Sequence, residues 1–211
     1  MPLEFEDAIR ANQHFFQIEL SPDSIARLAD YFRLVQEHNP LLHLVASTSP
    51  EVFATRHVLE SLTLLSHLPA GAALADVGTG AGLPSIPCLI VRPDLRAALI
   101  ESKEKKSKFL QLVVDEIGLG ERAQIVNRQF GETTPGDADF VTCRALDKFT
   151  ETLPRLVKWS KGRKLLFFGG PGLLSEMEKL GLAVQSELMP LSDRRYLFVS
   201  SNKIGHLRRR I

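Results

Sequence analysis

Gly78, Gly80 and Gly82 alternate with Thr79 and Ala81, directly behind the apolar run Ala73-Leu74-Ala75-Asp76-Val77 and ahead of Leu83-Pro84. Glycines permit positive φ and let a ligand approach the backbone closely. An apolar run leading into such a turn puts it at the C-terminal edge of a sheet, where α/β folds bind ligands. A dinucleotide loop of the GxGxxG kind needs its third glycine at position 83, to bring the helix close and seat a pyrophosphate on its N-terminus. Leu83 stands there instead. The order Asp-x-Gly-x-Gly-x-Gly suits a cofactor without phosphate, because Asp76 can face a cationic amino acid portion without repelling an anion. S-adenosylmethionine has that chemistry. Glu101 ends the next apolar run, where a carboxylate can accept hydrogen bonds from both ribose hydroxyls. Gly78, Gly80 and Glu101 also partly satisfy a nicotinamide-binding fingerprint, so an oxidoreductase is an alternative reading.

These residues need a sheet to hold them. From Ala72 onward short apolar runs alternate with helical stretches, the pattern of βαβ units and a parallel sheet. Seven strands are predicted: Ala73 to Val77, Ala97 to Ile100, Gln124 to Val126, Phe140 to Cys143, Lys164 to Phe168, Ala183 to Leu188 and Tyr196 to Ser200. Helices are predicted over Lys105 to Ile117, Glu151 to Trp159 and Leu173 to Leu180, and Gly169-Gly170-Pro171-Gly172 reads as a turn. Upstream, Ile25, Leu28, Ala29, Phe32 and Val35 recur at helical spacing, with Ser21 or Asp23 as cap and Asn39-Pro40 as stop. A second helix starts near Ser49-Pro50 and carries Val58, Leu59, Leu62, Leu65 and Leu68. Residues 1–71 are thus a helical extension and 72–211 the ligand-binding domain, the two forming one compact unit.

Bulk properties narrow the function. With 44% hydrophobic and 24% charged residues, the 211-residue chain can fold around one core without metals or disulfides. Cys88 and Cys143 lie far apart with no ligand spacing, and read as buried thiols. A net charge of +1 gives no global attraction to nucleic acid, so RNA affinity would need a local basic face. The start MPLEFEDAIR has no secretion pattern, and no apolar run approaches the about 20 residues of a membrane span. A cytoplasmic protein, monomeric and without a membrane partner, is expected.

With those residues placed, residues 38 to 200 resemble the bacterial 16S ribosomal RNA guanine-N7 methyltransferase family, also called the glucose-inhibited division protein B family. The likeness rests on Asn39 with Leu44, Arg56-His57 with Glu60-Ser61-Leu62, and Asp76 to Pro84 with Ile86-Pro87. It extends to Glu101-Ser102 with Lys105-Lys106 and Phe109-Leu110, and to Arg144-Ala145. The resemblance implies a Rossmann-like class I methyltransferase fold with a seven-stranded, mostly parallel sheet and N-terminal helices. It implies cofactor contact by Gly78 and Leu83, by Gln129-Phe130 beside the adenine, and by Arg144. Three positions depart from the family pattern. His43 stands where a second asparagine is usual, Phe130 where an acidic residue is common, and Gly169-Gly170 where a lysine-glycine pair follows the fifth strand.

Guanine N7 carries an unprotonated lone pair, so it can attack a sulfonium methyl without a general base. No catalytic residue is therefore assigned, and the enzyme's work is alignment and exclusion of water. Arg56, His57 and Arg195, with Arg194 and the tail Arg208 to Arg210, are candidates for a face toward 16S ribosomal RNA or the small subunit. The departures leave a second alternative, an RNA-binding or assembly protein that keeps the fold without the activity.

Overall fold

The computed structural model describes residues 2–144 and 149–201. Its centre is one seven-stranded sheet in the order β3-β2-β1-β4-β5-β7-β6. The strands are β1 (Ala73–Val77), β2 (Arg96–Ile100), β3 (Ala123–Val126), β4 (Phe140–Arg144), β5 (Lys164–Gly169), β6 (Ala183–Leu188) and β7 (Tyr196–Ser201). Six run the same way, and β7 is antiparallel to both of its neighbours. Every residue of β1 is buried, as a central parallel strand covered on both faces requires.

Side chains alternate between two cores. Leu74, Leu99, Leu166 and Leu197 face a core shared with α5 (Ser85–Val91) and α6 (Glu104–Glu116). Ala75, Ile100, Val141 and Phe167 face α7 (Phe149–Trp159) and α8 (Pro171–Lys179). The first core continues without interruption into the N-terminal helices, so Phe5, Phe32 and Phe53 belong to the same buried cluster as Leu74 and Leu110.

Those helices differ from expectation in three ways. An unpredicted helix, α1 (Pro2–Asn12), opens the chain and buries Phe5, Ala8 and Ile9, a spacing of three and four residues along one face. α2 (Pro22–Leu42) is capped by Ser21, whose hydroxyl accepts from the Ser24 amide, but it runs past the predicted stop at Asn39-Pro40. Asn39 explains the extra turn: its carbonyl accepts from the His43 amide, and its side chain accepts from the amides of Leu44 and Val45 at 2.8 and 2.9 Å. His43 takes the left-handed conformation at φ 48°, which asparagine and histidine tolerate better than most residues. The backbone thus accommodates histidine at this position.

The second predicted helix begins as read, with Ser49 accepting from the Val52 amide and Pro50 in the first turn. It is not uniform. After α3 (Pro50–Val52) it widens into a π-helical stretch, Phe53–Leu59, then passes through α4 (Glu60–Leu62) to a 3-10 turn, Thr63–His67. Such widened turns recur at functional positions. The expected turn at residues 169–172 is also corrected: Gly169 ends β5, Gly170 caps α8, and Pro171 opens it, where its missing N–H costs nothing. A Cβ on Gly169 would approach Leu173 Cδ2 to 2.6 Å, so the close packing of α8 favours glycine there. The tail Arg208 to Arg210 lies outside the described residues, as does Ala145.

Candidate cofactor and RNA site

The glycine loop leaves β1 with Gly78, Gly80 and Gly82 all at positive φ, 69°, 58° and 97°. Its shape is fixed by backbone bonds: the Gly78 amide donates to Ile100 O at 2.9 Å, and the Gly82 amide to Thr79 O at 2.8 Å. A Cβ on Gly82 would fall 2.4 Å from Ile86 Cδ1. Gly82 therefore gives the close approach of helix to loop that a dinucleotide motif draws from a glycine one position later.

Two carboxylates secure this loop from opposite sides. Asp76 is fully buried; its Oδ2 accepts from Thr79 Oγ1 at 2.8 Å and from the Ser85 amide at 3.3 Å. The sequence suggested that Asp76 faces a ligand, but the structure encloses it as a staple between loop and α5. Burial pushes its carboxyl up to about 7, against the opposing pull of its bonds to Ser85 and Thr79. The folded protein thus holds this proton more tightly than the unfolded chain. The stability linked to it is full below about pH 4 and lost as pH rises through about 7, by up to about 4 kcal/mol. Denaturant unfolding between pH 5 and pH 8 should show wild type losing its advantage over Asp76→Asn as pH rises. A constant difference across that range would mean that Asp76 keeps its ordinary titration.

Glu101, only 6% exposed, directly follows β2 and supports the loop from the other side. Its Oε2 accepts from the Gly80 amide at 3.1 Å and its Oε1 from the Lys103 amide at 2.8 Å. Each oxygen keeps a further lone pair for a ligand hydroxyl.

Gly78, Gly80, Leu83, Glu101, His57 and Arg144 line one cleft of about 530 Å³ at the C-terminal edge of β1 and β2. Gln129 and Phe130 line an adjoining hollow of about 200 Å³, which also touches Gly78 and Ser102. The Phe130 ring is held edge-on against Trp159 and under the Arg155 guanidinium. Sequence reasoning missed several members of this site. Tyr31 on α2 is fully buried and donates to Ala81 O at 3.0 Å, tying the helical extension to the glycine loop. Lys103 and Lys106 line the cleft beside the His43 to Ala46 segment, and Lys106 donates to His43 O. The Lys105-Lys106 pair was a sequence signal for the lysines; Tyr31 offered none, being one more apolar position of an amphipathic helix.

Arg144, at the end of β4, is knitted into the helical extension. It donates to the Arg56 carbonyl, to Ser61 Oγ at 3.2 Å and to Glu60 Oε2 at 3.0 Å, and it lies over the Phe168 ring. Arg195 donates from Nε to Glu60 Oε1 at 2.6 Å. The side chain of Arg56 is exposed, as is Arg194. His57 packs against Phe53, and burial together with the charges of Arg144, Arg56 and Arg195 pushes its imidazole down to about 3, so it is neutral at physiological pH. Of the three residues expected to face RNA, Arg56 is free at the surface, Arg195 is half-buried in an ion pair, and His57 lies against the cleft. Among the described residues no cluster has the makings of a metal site, and no helix is long and apolar enough to cross a membrane.

The architecture matches solved methyltransferases. Mitomycin 7-O-methyltransferase MmcR superposes over 92% of this chain and 67% of its own, with a TM-score of 0.58 at 18% identity, which speaks for the fold alone. Sequence relatives are nearer. A ribosomal RNA small subunit methyltransferase G from Sorangium cellulosum is 39% identical over 149 residues, 66% of this chain and 61% of the relative. Another, from Neisseria meningitidis serogroup C, is 32% identical over 75% of this chain and 74% of the relative. In the first of these matches the chain spans about three fifths of the relative's length. The family profile described as rRNA small subunit methyltransferase G, GidB, covers residues 24–192, from α2 through the glycine loop to the segment before β7. With that profile running over the cleft, both carboxylates and Arg56, Glu60 and Arg144, the chain belongs to the GidB family.

Proposed function

We propose that this protein transfers the methyl group of S-adenosylmethionine to N7 of a guanine in 16S ribosomal RNA, in the cytoplasm. The observation that carries the reading is the single cleft in which Gly78, Gly80, Leu83, Glu101 and Arg144 converge. Its volume and donor set fit the cofactor. Positive-φ glycines leave the floor open to close approach, Glu101 offers acceptors for ribose hydroxyls, and the Gln129-Phe130 hollow offers an aromatic ring beside an adenine. When bound, the cofactor supplies an electrophilic methyl group.

The chain's own contribution is positional. The guanine N7 lone pair needs no deprotonation, so neither Asp76, enclosed behind the loop, nor neutral His57 has to move a proton. Cleft residues hold the acceptor in line and exclude water, which can supply several kcal/mol of barrier lowering. Arg56, His57 and Arg195 are assigned as the RNA-facing group: Arg56 is exposed, His57 belongs to the cleft lining, and Arg195 is held by Glu60.

S-adenosylmethionine and S-adenosylhomocysteine should raise thermal stability, with about 2.7 kcal/mol at a hundredfold excess over Kd, while NAD and NADP leave it unchanged. The reverse ranking would end this reading. Mapping modified nucleosides in 16S ribosomal RNA from cells with and without the protein tests the acceptor. An identical modification pattern would favour the RNA-binding protein without activity.

A further inference from the structure

Among the described residues Glu60 is the one carboxylate bonded to both Arg144 and Arg195, and it is 2% exposed. Each of its oxygens takes one guanidinium. Arg56 also acts on neighbouring His57, and His57, being neutral, adds no charge of its own. Two guanidiniums therefore share a single buried anion, with Arg56 exposed nearby beside His57, and the group carries excess positive charge. A buried carboxylate needs pairing to be tolerated, but one arginine suffices for that; the second is left with capacity for another anion. Arg144 and Arg195 keep 14% and 29% of their side chains exposed, so that anion can come from solvent.

The surroundings say which anion. Arg144 lines the cleft, whereas Arg195, held on the same carboxylate, does not, so the paired guanidiniums reach from the cofactor space to the surface beside it. The π-helical stretch Phe53–Leu59 ends immediately before Glu60, and the Arg56 carbonyl within it accepts from Arg144. The wide turn, Glu60 and Ser61 together lock the Arg144 guanidinium through three partners. Rigid, fork-shaped presentation is what distinguishes arginine as a phosphate ligand.

We propose that Glu60 is a positioning residue for RNA: its carboxylate holds Arg144 and Arg195 as one fixed fork at the cleft rim, where the pair receives a phosphate of the substrate. This rests on the RNA methyltransferase reading above, and the two can fail separately.

The sign of the charge change makes the test sharp. Removing a negative charge from a face that binds RNA raises affinity if only the field matters; a fall in affinity requires lost geometry. Glu60→Gln should therefore bind 16S ribosomal RNA at least tenfold more weakly than wild type, with a KM raised by a similar factor. Cofactor affinity by calorimetric titration should stay within threefold, and Glu60→Asp should recover part of the loss. RNA affinity equal to or above wild type, with cofactor binding intact, overturns the proposal. So does a loss confined to cofactor affinity, which would assign the fork to the cofactor's carboxylate. Should Glu60→Gln fail to fold, Arg195→Lys carries the question, since it keeps the charge and loses the fork: wild-type RNA affinity overturns the proposal and a tenfold loss supports it. If wild type itself neither binds nor methylates the RNA, the functional reading fails instead.

Discussion

Glu101→Ala is expected to weaken S-adenosylmethionine binding by about a hundredfold or more, a loss of at least about 2.7 kcal/mol. A missing ribose contact alone would give less. The larger effect follows because both Glu101 oxygens already accept from backbone amides, of Gly80 and Lys103. Bonds to a charged acceptor are worth about 1.5 to 3 kcal/mol each. Alanine removes the ligand contact and leaves the Gly80 turn unsupported at once. Glu101→Gln should fall in between, at about tenfold, because its amide keeps one acceptor oxygen for two backbone donors. Calorimetric titration with the cofactor decides the matter. Wild-type affinity in Glu101→Ala would show that the carboxylate neither shapes the loop nor touches the ligand.

The largest stability effect is expected at Phe53, which does not line the cleft. Its ring is fully buried at 5.0 Å from Phe32, 6.1 Å from Tyr31 and 6.2 Å from Phe5, at the point where α1, α2 and the π-helical stretch meet. Phe53→Ala should cost about 3 to 5 kcal/mol, much of the margin of a domain whose total stability is on the order of 5 to 15 kcal/mol. Because the buried cluster runs unbroken from Phe53 to Leu74 and Leu110, the variant should still melt in a single transition, at lower temperature. Two separated transitions in calorimetry would show instead that residues 1–71 fold as an independent unit.

Much of the scaffold was legible before any coordinates. All seven strands lie within a residue of where short apolar runs placed them; β1, β4 and β5 were the clearest, because a parallel strand buried on both faces must be apolar nearly throughout and must stop at a turn. The glycine loop was equally local: its conformation needs positive φ at three positions, and only glycine takes that without strain. Helix ends were read less well. Pro40 looked like a stop, but α2 continues to Leu42, beyond which the Asn39 side chain takes two amides of the exiting chain.

The site was legible only as a set of letters. Asp76 and Glu101 were both recognised as carboxylates at strand ends, yet one is sealed behind the loop and the other faces the cleft. That difference comes from the direction in which successive residues of a strand point and from what packs over them. The arginine cluster is further from reach. Glu60 meets Arg144 across 84 residues of sequence and Arg195 across 135, and Tyr31 reaches Ala81 across 50. Periodicity, caps and turns are local quantities and determine which segments become helix, strand or loop. Which side chains share a charge depends on how β4, β7 and the helical extension close around one core, and that closure is decided by packing over the whole chain.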